Sequence, residues 1–372
     1  MAYKELQDKV RGSLVGGACG DALGYPVEFI YSFEEIRTRY GEGGVQEYDV
    51  SYTWLSKPKE AGKALFSDDT QMTLYTAEAL LEAEKSGAAI IPTICEAYLI
   101  WFGHQTDRQV KAGYKSALSE IEELNQRRAP GNTCISALLS ICRGKEPHNY
   151  SKGCGGIMRV APIGLFGATH GWILQETARI AGKAAELTHL HPLSTYSAAV
   201  LAVIVQQCVL TEHVNKDTFK TIIDKSLDVI SNLYGDSAPD MEEFLDLIHT
   251  AVSLVNSEMS DWEIIETELG GGWVAEETLA IAIFSVSRHI DDFSACLVCA
   301  VNHGGDSDST GAVAGNIIGA IVGYNAIPEK FTTPLQLHGL ITDIADTLVT
   351  KPANTFGTND LRLYLQQIPL TA

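Results

Sequence analysis

Two short stretches of this chain set carboxylates beside hydroxyls: Ser67, Asp68, Asp69 and Thr70 in "FSDDTQMTL", and Asp306, Ser307, Asp308, Ser309 and Thr310 in "HGGDSDSTGAVAGN". The ordinary use of such a run is to start a helix. Ser67 is a good N-cap, and acids in a first turn complement the helix dipole by about 0.3–1 kcal/mol each. The second stretch asks for more. From Gly311 to Tyr324 the sequence carries no charge, as expected of a buried helix, so the acids at its start should be buried as well. Buried carboxylates are costly unless they are paired or bind a metal. No Lys or Arg lies within ten residues of Asp306 or Asp308, and a cation is the economical solution.

The donors are all oxygen, which suits a hard ion such as Mg²⁺, Mn²⁺ or Ca²⁺ better than Zn²⁺. Two carboxylate pairs could hold two ions roughly 3.5–4 Å apart. An EF-hand is excluded: "DSDSTG" matches its opening, but the twelfth position is Ile317, which has no carboxylate. The lone CxxC at Cys296 and Cys299 sits in an apolar helical pattern and reads as core thiols rather than a zinc site.

Helical periodicity dominates the rest of the chain. Helices are expected over residues 3–22, 69–85, 92–103, 107–124, 172–187, 192–210, 216–233, 241–256, 276–288, 294–301, 309–322 and 334–348. Residues 43–54 are the best strand candidate and could equally be a loop. Connectors at 127–132, 144–156, 235–240 and 270–272 are short, and none resembles an interdomain linker. A single all-α domain over residues 1–372 is expected. Gly16, Gly20 and Gly24 share one helical face, which allows another backbone to approach. They serve core packing or form the floor of a site, because Asp21 and Glu28 flank them.

The chain has 372 residues, 45% hydrophobic and 20% charged, with a net charge of −20. No Lys/Arg-rich run provides a nucleic-acid footprint, and an anionic membrane surface would repel the chain. No secretory signal is recognisable at the N-terminus, and every long apolar run includes polar positions, so no membrane span is expected. Eight cysteines are too sparse for a disulfide scaffold, and reduced thiols in a cytoplasmic setting are expected. An anionic substrate would then need help from helix N-termini or metal ions. The Gly-rich loop "SKGCGG" could present backbone N–H groups to an anion, with Lys152 adding a cation. Arg159 is expected to be the buried counter-ion of an acid. His189 and His191, before Pro192, could be ligands or caps. Trp273 could cover a ligand or pack in the core.

The motifs "GSLVGGACGDALGYPVEF", "FSDDTQMTL", "GNTCISAL", "SKGCGGIMRVAPIGL", "LTHLHPLS" and "HGGDSDSTGAVAGNIIGA" occur in that order. Together they resemble the ADP-ribosylglycohydrolase family, over nearly the whole chain. The resemblance implies a compact orthogonal multi-helix bundle and a binuclear Mg²⁺ or Mn²⁺ centre. It also implies hydrolysis of the bond between ADP-ribose and a modified arginine, serine or other side chain. By the resemblance, Ser67, Asp68, Asp69, Asp306, Asp308 and Ser309 are metal ligands, with Ser309 standing where the family usually has Thr. Glu28, Asp69 and Asp308 are the candidates for proton transfer. Ser151, Lys152, Gly153, Cys154, Gly155, His189, Gly271 and Trp273 match substrate-binding positions, although Cys154 stands where many relatives have Asn and Lys152 where some have Tyr. The expected partner is an ADP-ribosylated protein or a small ADP-ribose-like molecule. A metal-dependent phosphohydrolase and a non-catalytic, crystallin-like binding protein are the competing readings. Acceptor choice is expected to fall to the irregular segments 41–65, 101–109 and 257–273, and oligomeric state is open.

Overall fold

The computed structural model describes residues 3–51, 62–235 and 238–350. The helical pattern becomes α1 (Tyr3–Gly24), α2 (Phe33–Tyr40), α3 (Asp68–Ser86), α4 (Ile90–Thr106), α5 (Asn132–Cys142), α6 (Ala161–His170), α7 (Leu174–Glu186), α8 (Pro192–Leu210), α9 (Lys216–Tyr234), α10 (Met241–Ser253), α11 (Asp261–Ile264), α12 (Ala275–Arg288), α13 (Phe293–Val301), α14 (Ser307–Val322), α15 (Glu329–Thr332) and α16 (His338–Val349). Among the described residues there is no β-strand, only isolated bridges at Ala64–Leu335 and Gly153–Val274. The expected all-α bundle is what forms. Residues 43–51 are loop and turn, and the rest of that strand candidate lies outside the described residues.

Glycine spacing sets the closest contact in the bundle. A Cβ added to Gly16 would lie 2.4 Å from the carbonyl oxygen of Gly315, and one on Gly20 1.9 Å from that of Gly311. The backbones of α1 and α14 therefore touch, antiparallel, with Gly12 against Gly319 and Gly24 against Ser307. Ser13 and Asn316 fix the register reciprocally: Ser13 Oγ donates to the Asn316 carbonyl (2.9 Å) and Asn316 Nδ2 to the Ser13 carbonyl (2.8 Å). This pairing puts the C-terminal end of α1 level with the N-terminal end of α14. Of the two expected uses of the glycines, core packing is the one seen: all three lie against the α14 backbone, and none lines the cavity described below.

The third element of the site is fixed from α1. Buried Asp21 accepts hydrogen bonds from the amides of Ser67 (2.7 Å) and Thr70 (3.0 Å) and from the Thr70 hydroxyl. A carboxylate from a different helix thus satisfies the orphan donors at the start of α3. Behind these, α8 packs against α6, α7, α9, α12 and α14. It is long and apolar enough to cross a membrane, with mean hydropathy 1.7, yet 89% of it is buried inside the bundle. Its lack of charge is that of a core helix.

Residues 107–124 are a correction. α4 stops at Thr106, where Asp107 turns left-handed (φ 54), and one 3₁₀ turn at Leu118–Glu120 is the regular structure that follows. Within this segment Glu78 on α3 accepts from the amides of Ala117 (2.7 Å) and Leu118 (3.1 Å) and from the Ser116 hydroxyl (2.6 Å), and Glu96 on α4 accepts the Gly113 amide (2.9 Å), so these donors are not part of a continuous helix. The helices α2, α5, α6, α11 and α15 were not expected; all are short, 4–11 residues, and take their stability from packing rather than from a long periodic signal. The expected helix 334–348 starts later, at His338.

Replacing Gly20 by Ala should cost about 3 kcal/mol, the upper range for overpacking against a rigid neighbour, because the neighbour is backbone. Urea denaturation monitored by circular dichroism would show it, and an unchanged midpoint would mean that α1 and α14 do not touch.

Candidate active site

α3 and α14 bring their first turns to the same place. Ser309 Oγ donates to Asp69 Oδ2 at 2.8 Å across 240 residues of sequence. The serine of one segment thus holds an aspartate of the other. Ser67 is the N-cap of α3, accepting the Asp69 amide at 3.1 Å. Asp306 precedes α14 without capping it, and its carboxylate is left for the cavity. Glu28 follows the 3₁₀ turn Tyr25–Val27 at the end of α1 and comes to the same point. One carboxylate oxygen each of Glu28, Asp306 and Asp308 lie within 4.8 Å of one another. Glu28, Asp68, Asp69, Asp306 and Asp308 are all buried.

A cavity of about 430 Å³ opens onto these carboxylates, within the roughly 300–1,000 Å³ usual for small-molecule sites. One wall is the loop before α5, running from Arg127 to Cys134. Buried Arg128 staples it to the start of α3: its carbonyl accepts the Asp68 amide (3.2 Å) and its guanidinium donates to the Phe66 carbonyl (2.8 Å). Ala129 beside it is held at φ 50, the strained backbone that functional loops often carry. The opposite wall is the Gly153–Gly155 turn, tied to the 273–275 segment by Cys154 N donating to the Trp273 carbonyl (3.2 Å) and Ala275 N to the Lys152 carbonyl (2.7 Å). Gly155 leaves no room for a side chain, since a Cβ there would meet Cys134 Sγ at 2.8 Å and His189 at 3.0 Å.

The electrostatics are one-sided. Burial first, and the neighbouring carboxylates second, push Glu28, Asp68, Asp69 and Asp306 well above the usual carboxylate range. Asp21 moves the same way, through burial and Asp308. Glu28 Oε2 is buried with no hydrogen-bond partner. An orphaned carboxylate oxygen among four aspartates is what a hard divalent cation fits. The amino ends of α3 and α14 add partial positive charge here.

Several expectations are corrected. Lys152 does not face the cavity; its ammonium is paired with buried Glu276 and lies 3.7 Å from Glu243. Ser151 lies behind the turn, accepting the Gly153 amide at 3.3 Å. With the Cys154 amide also bonded, two of the loop's donors are unavailable to an anion. Gly271 does not line the cavity; its carbonyl accepts the Asp306 amide at 2.8 Å, so it positions a carboxylate. Arg159 pairs with no carboxylate: it donates to the Ala184 carbonyl (3.3 Å) and Thr188 Oγ1 (2.6 Å) and lies 4.3 Å over the Tyr98 ring. His191 is a cap, its Nδ1 accepting the Leu193 amide at 3.1 Å. His189 lines the cavity, and burial near Arg159 lowers its pKa to about 3. It is a neutral imidazole, with Nδ1 at 2.8 Å from Thr188 Oγ1. Trp273 is at the cavity mouth rather than in the core, stacked on Phe29 with centroids 6.2 Å apart. None of residues 101–109 lines the cavity.

Among the cavity residues that the sequence does not single out are Phe29 and Arg127. Phe29 follows Glu28 and looks like any core aromatic. Arg127 reads as part of a polar connector, yet it sits exposed at the rim with no hydrogen bond or ion pair among the described residues. Arg127, and not Lys152, is the exposed basic side chain lining this cavity.

The raised carboxylates fix the sign of a pH effect. Between pH 7 and 9, native Glu28, pushed up to about 12 by burial and the neighbouring aspartates, retains a proton that the unfolded chain has lost. The native state therefore binds more protons, and stability falls as pH rises. Metal-free protein should melt lower at pH 9 than at pH 7, and added Mn²⁺ should stabilise it more at pH 9, because the ion competes with those protons. Calorimetry with and without chelator reads both, and melting that ignores Mn²⁺ at both pH values would contradict the cation fit.

A family model for ADP-ribosylglycohydrolases matches residues 2–356. The chain is 26% identical to an ADP-ribosyl-dinitrogen reductase glycohydrolase of Rhodospirillum rubrum, covering 91% of this chain and 93% of that one. It is 26% identical to the human ADP-ribosylhydrolase ARH3, covering 87% and 88%. Among solved structures, an "ADP-ribosylglycohydrolase-related protein complex" superposes with a TM-score of 0.64 at 25% identity, over 93% of this chain and 98% of the other. With its fold, its paired acidic helix starts and this end-to-end match, the chain is a member of the ADP-ribosylglycohydrolase family.

Proposed function

We propose that this protein is a divalent-cation-dependent hydrolase that releases ADP-ribose from modified protein side chains by cleaving the glycosidic bond at the distal ribose. The observation that carries the reading is the meeting of Asp68 and Asp69 with Asp306, Asp308 and Glu28 at one cavity, cross-linked by Ser309. Membership of the family supports it, as do the activities for which the Rhodospirillum and human relatives are named.

In this reading Asp68, Asp69, Asp306 and Asp308, with the hydroxyls of Ser67 and Ser309, hold Mg²⁺ or Mn²⁺. When bound, such ions orient the sugar hydroxyls and lower the pKa of a water toward neutrality. The residues supply the rest. Glu28 carries a buried oxygen with no hydrogen-bond partner and, once cation binding has released its proton, would be the base that accepts the water's proton as the anomeric bond breaks through an oxocarbenium-like state. Neutral His189 contributes a hydrogen bond without adding a charge. Arg127 meets the pyrophosphate at the rim, where this chain of net charge −20 otherwise repels an anion. Phe29 and Trp273 flank the mouth and shield the reacting carbon from bulk water.

Arginine- and serine-linked ADP-ribose peptides, incubated with protein and Mg²⁺, should yield free ADP-ribose, and chelator or Asp306→Asn should stop it while circular dichroism is retained. Release of phosphate or AMP instead would move the protein to a phosphohydrolase. No release from any linkage would leave a binding protein. Arg127→Ala should raise KM about tenfold, the roughly 1.4 kcal/mol of one exposed charge-assisted contact, with kcat little changed. A fall in kcat alone would remove Arg127 from pyrophosphate recognition.

A further inference from the structure

Cys154 is the one soft donor in contact with the acidic cluster. Its Sγ lies 2.7 Å from Asp306 Oδ2, and its backbone is pinned by the Trp273 carbonyl. An ion shared by an oxygen and a sulfur, with bonds of about 2.1 and 2.3 Å, keeps those two atoms within about 3–3.6 Å of each other. The Cys154–Asp306 contact, at 2.7 Å, is shorter than that span, so the two atoms need move apart by only about 0.3–0.9 Å to admit an ion between them. A second observation points to a ligand at the same spot: Glu28, 8% exposed, aims an unpartnered oxygen into the cavity that Cys154 lines. The cavity's other thiol differs. Cys134 Sγ lies 3.5 Å from the Arg159 guanidinium, a neighbour that opposes a cation.

We propose that Cys154 is a sulfur ligand position of the cation centre, taken up by thiophilic divalent ions such as Zn²⁺ or Cd²⁺. The inference rests on the cation reading of the same cavity. With a hard ion, the thiol keeps its proton and donates it to Asp306 Oδ2, steering the other oxygen of Asp306 toward the ion. With a thiophilic ion, the S–H bond breaks, the proton passes to solvent, and a metal–sulfur bond forms beside the Asp306 carboxylate. No oxidation state changes. The softness order of ligands favours this exchange. The protein is thereby open to capture by soft ions at the position that orients one of its aspartates.

The test is titration of the metal-free full chain with Cd²⁺, reading the ultraviolet sulfur-to-cadmium charge-transfer band, with Mn²⁺ binding measured in parallel by electron paramagnetic resonance. Wild type should develop the band, and Cys154→Ser should lose it while still binding Mn²⁺. Cys299→Ser is the control, since Cys299 lies with Asp261 and His289 in a second cluster within 4.8 Å, beside Arg288. It should retain the band. A band undiminished in Cys154→Ser, or lost in Cys299→Ser instead, overturns the proposal. X-ray absorption on Cd²⁺-loaded wild type needs no variant: a cadmium–sulfur shell is expected, and an all-oxygen and nitrogen shell overturns the proposal. If wild type binds no Mn²⁺, the cation reading itself fails, which separates the two failures.

Discussion

Mutual repulsion of carboxylates in a space closed to bulk water is the constraint to which the rest of this molecule answers. Glu28, Asp68, Asp69, Asp306 and Asp308 are buried together, and burial and proximity both oppose their charge. Such a cluster has two stable conditions: protons retained, or cations bound. It can be assembled only if strong contacts elsewhere hold the elements in place, and they do. The touching backbones of α1 and α14 and the capping of α3 by Asp21 fix three chain segments around one point. The packing that supplies stability is thus also what sets the geometry of the site.

Charge in and around the cavity is divided by distance from that point. Closest in are acids and hydroxyls, the donors for hard cations. Next comes His189, kept neutral by burial and by Arg159, so that it neither repels a cation nor cancels an acid. At the rim stands Arg127, the cation that a diphosphate would meet first. Lys152, which composition alone would nominate, is spent on Glu276. In the proposed reading, a strongly acidic chain accepts an acidic ligand without a basic groove.

Much of this was legible in the sequence. The two hydroxyl-and-aspartate runs, the absence of a nearby base and the uncharged helix after Asp306 together imply burial and a cation. The glycine period implies close helix contact. What stayed hidden depended on partners distant in sequence. Residues 107–124 carry a helical pattern, and only the position of Glu78 shows that their amides are engaged elsewhere. Arg159 looked like a counter-ion and instead bonds a hydroxyl and a carbonyl. Arg127 and Phe29 have no local signature, because their exposure at the mouth follows from how the 127–134 loop and the end of α1 are stapled.

Diffraction from crystals grown with Mn²⁺, recorded at the manganese absorption edge, tests the central claim most directly. The account predicts anomalous density between the Asp68–Asp69 pair and the Asp306–Asp308 pair, within bonding distance of both. A well-ordered cavity with no anomalous peak there, its aspartates paired to one another through shared protons, would contradict it.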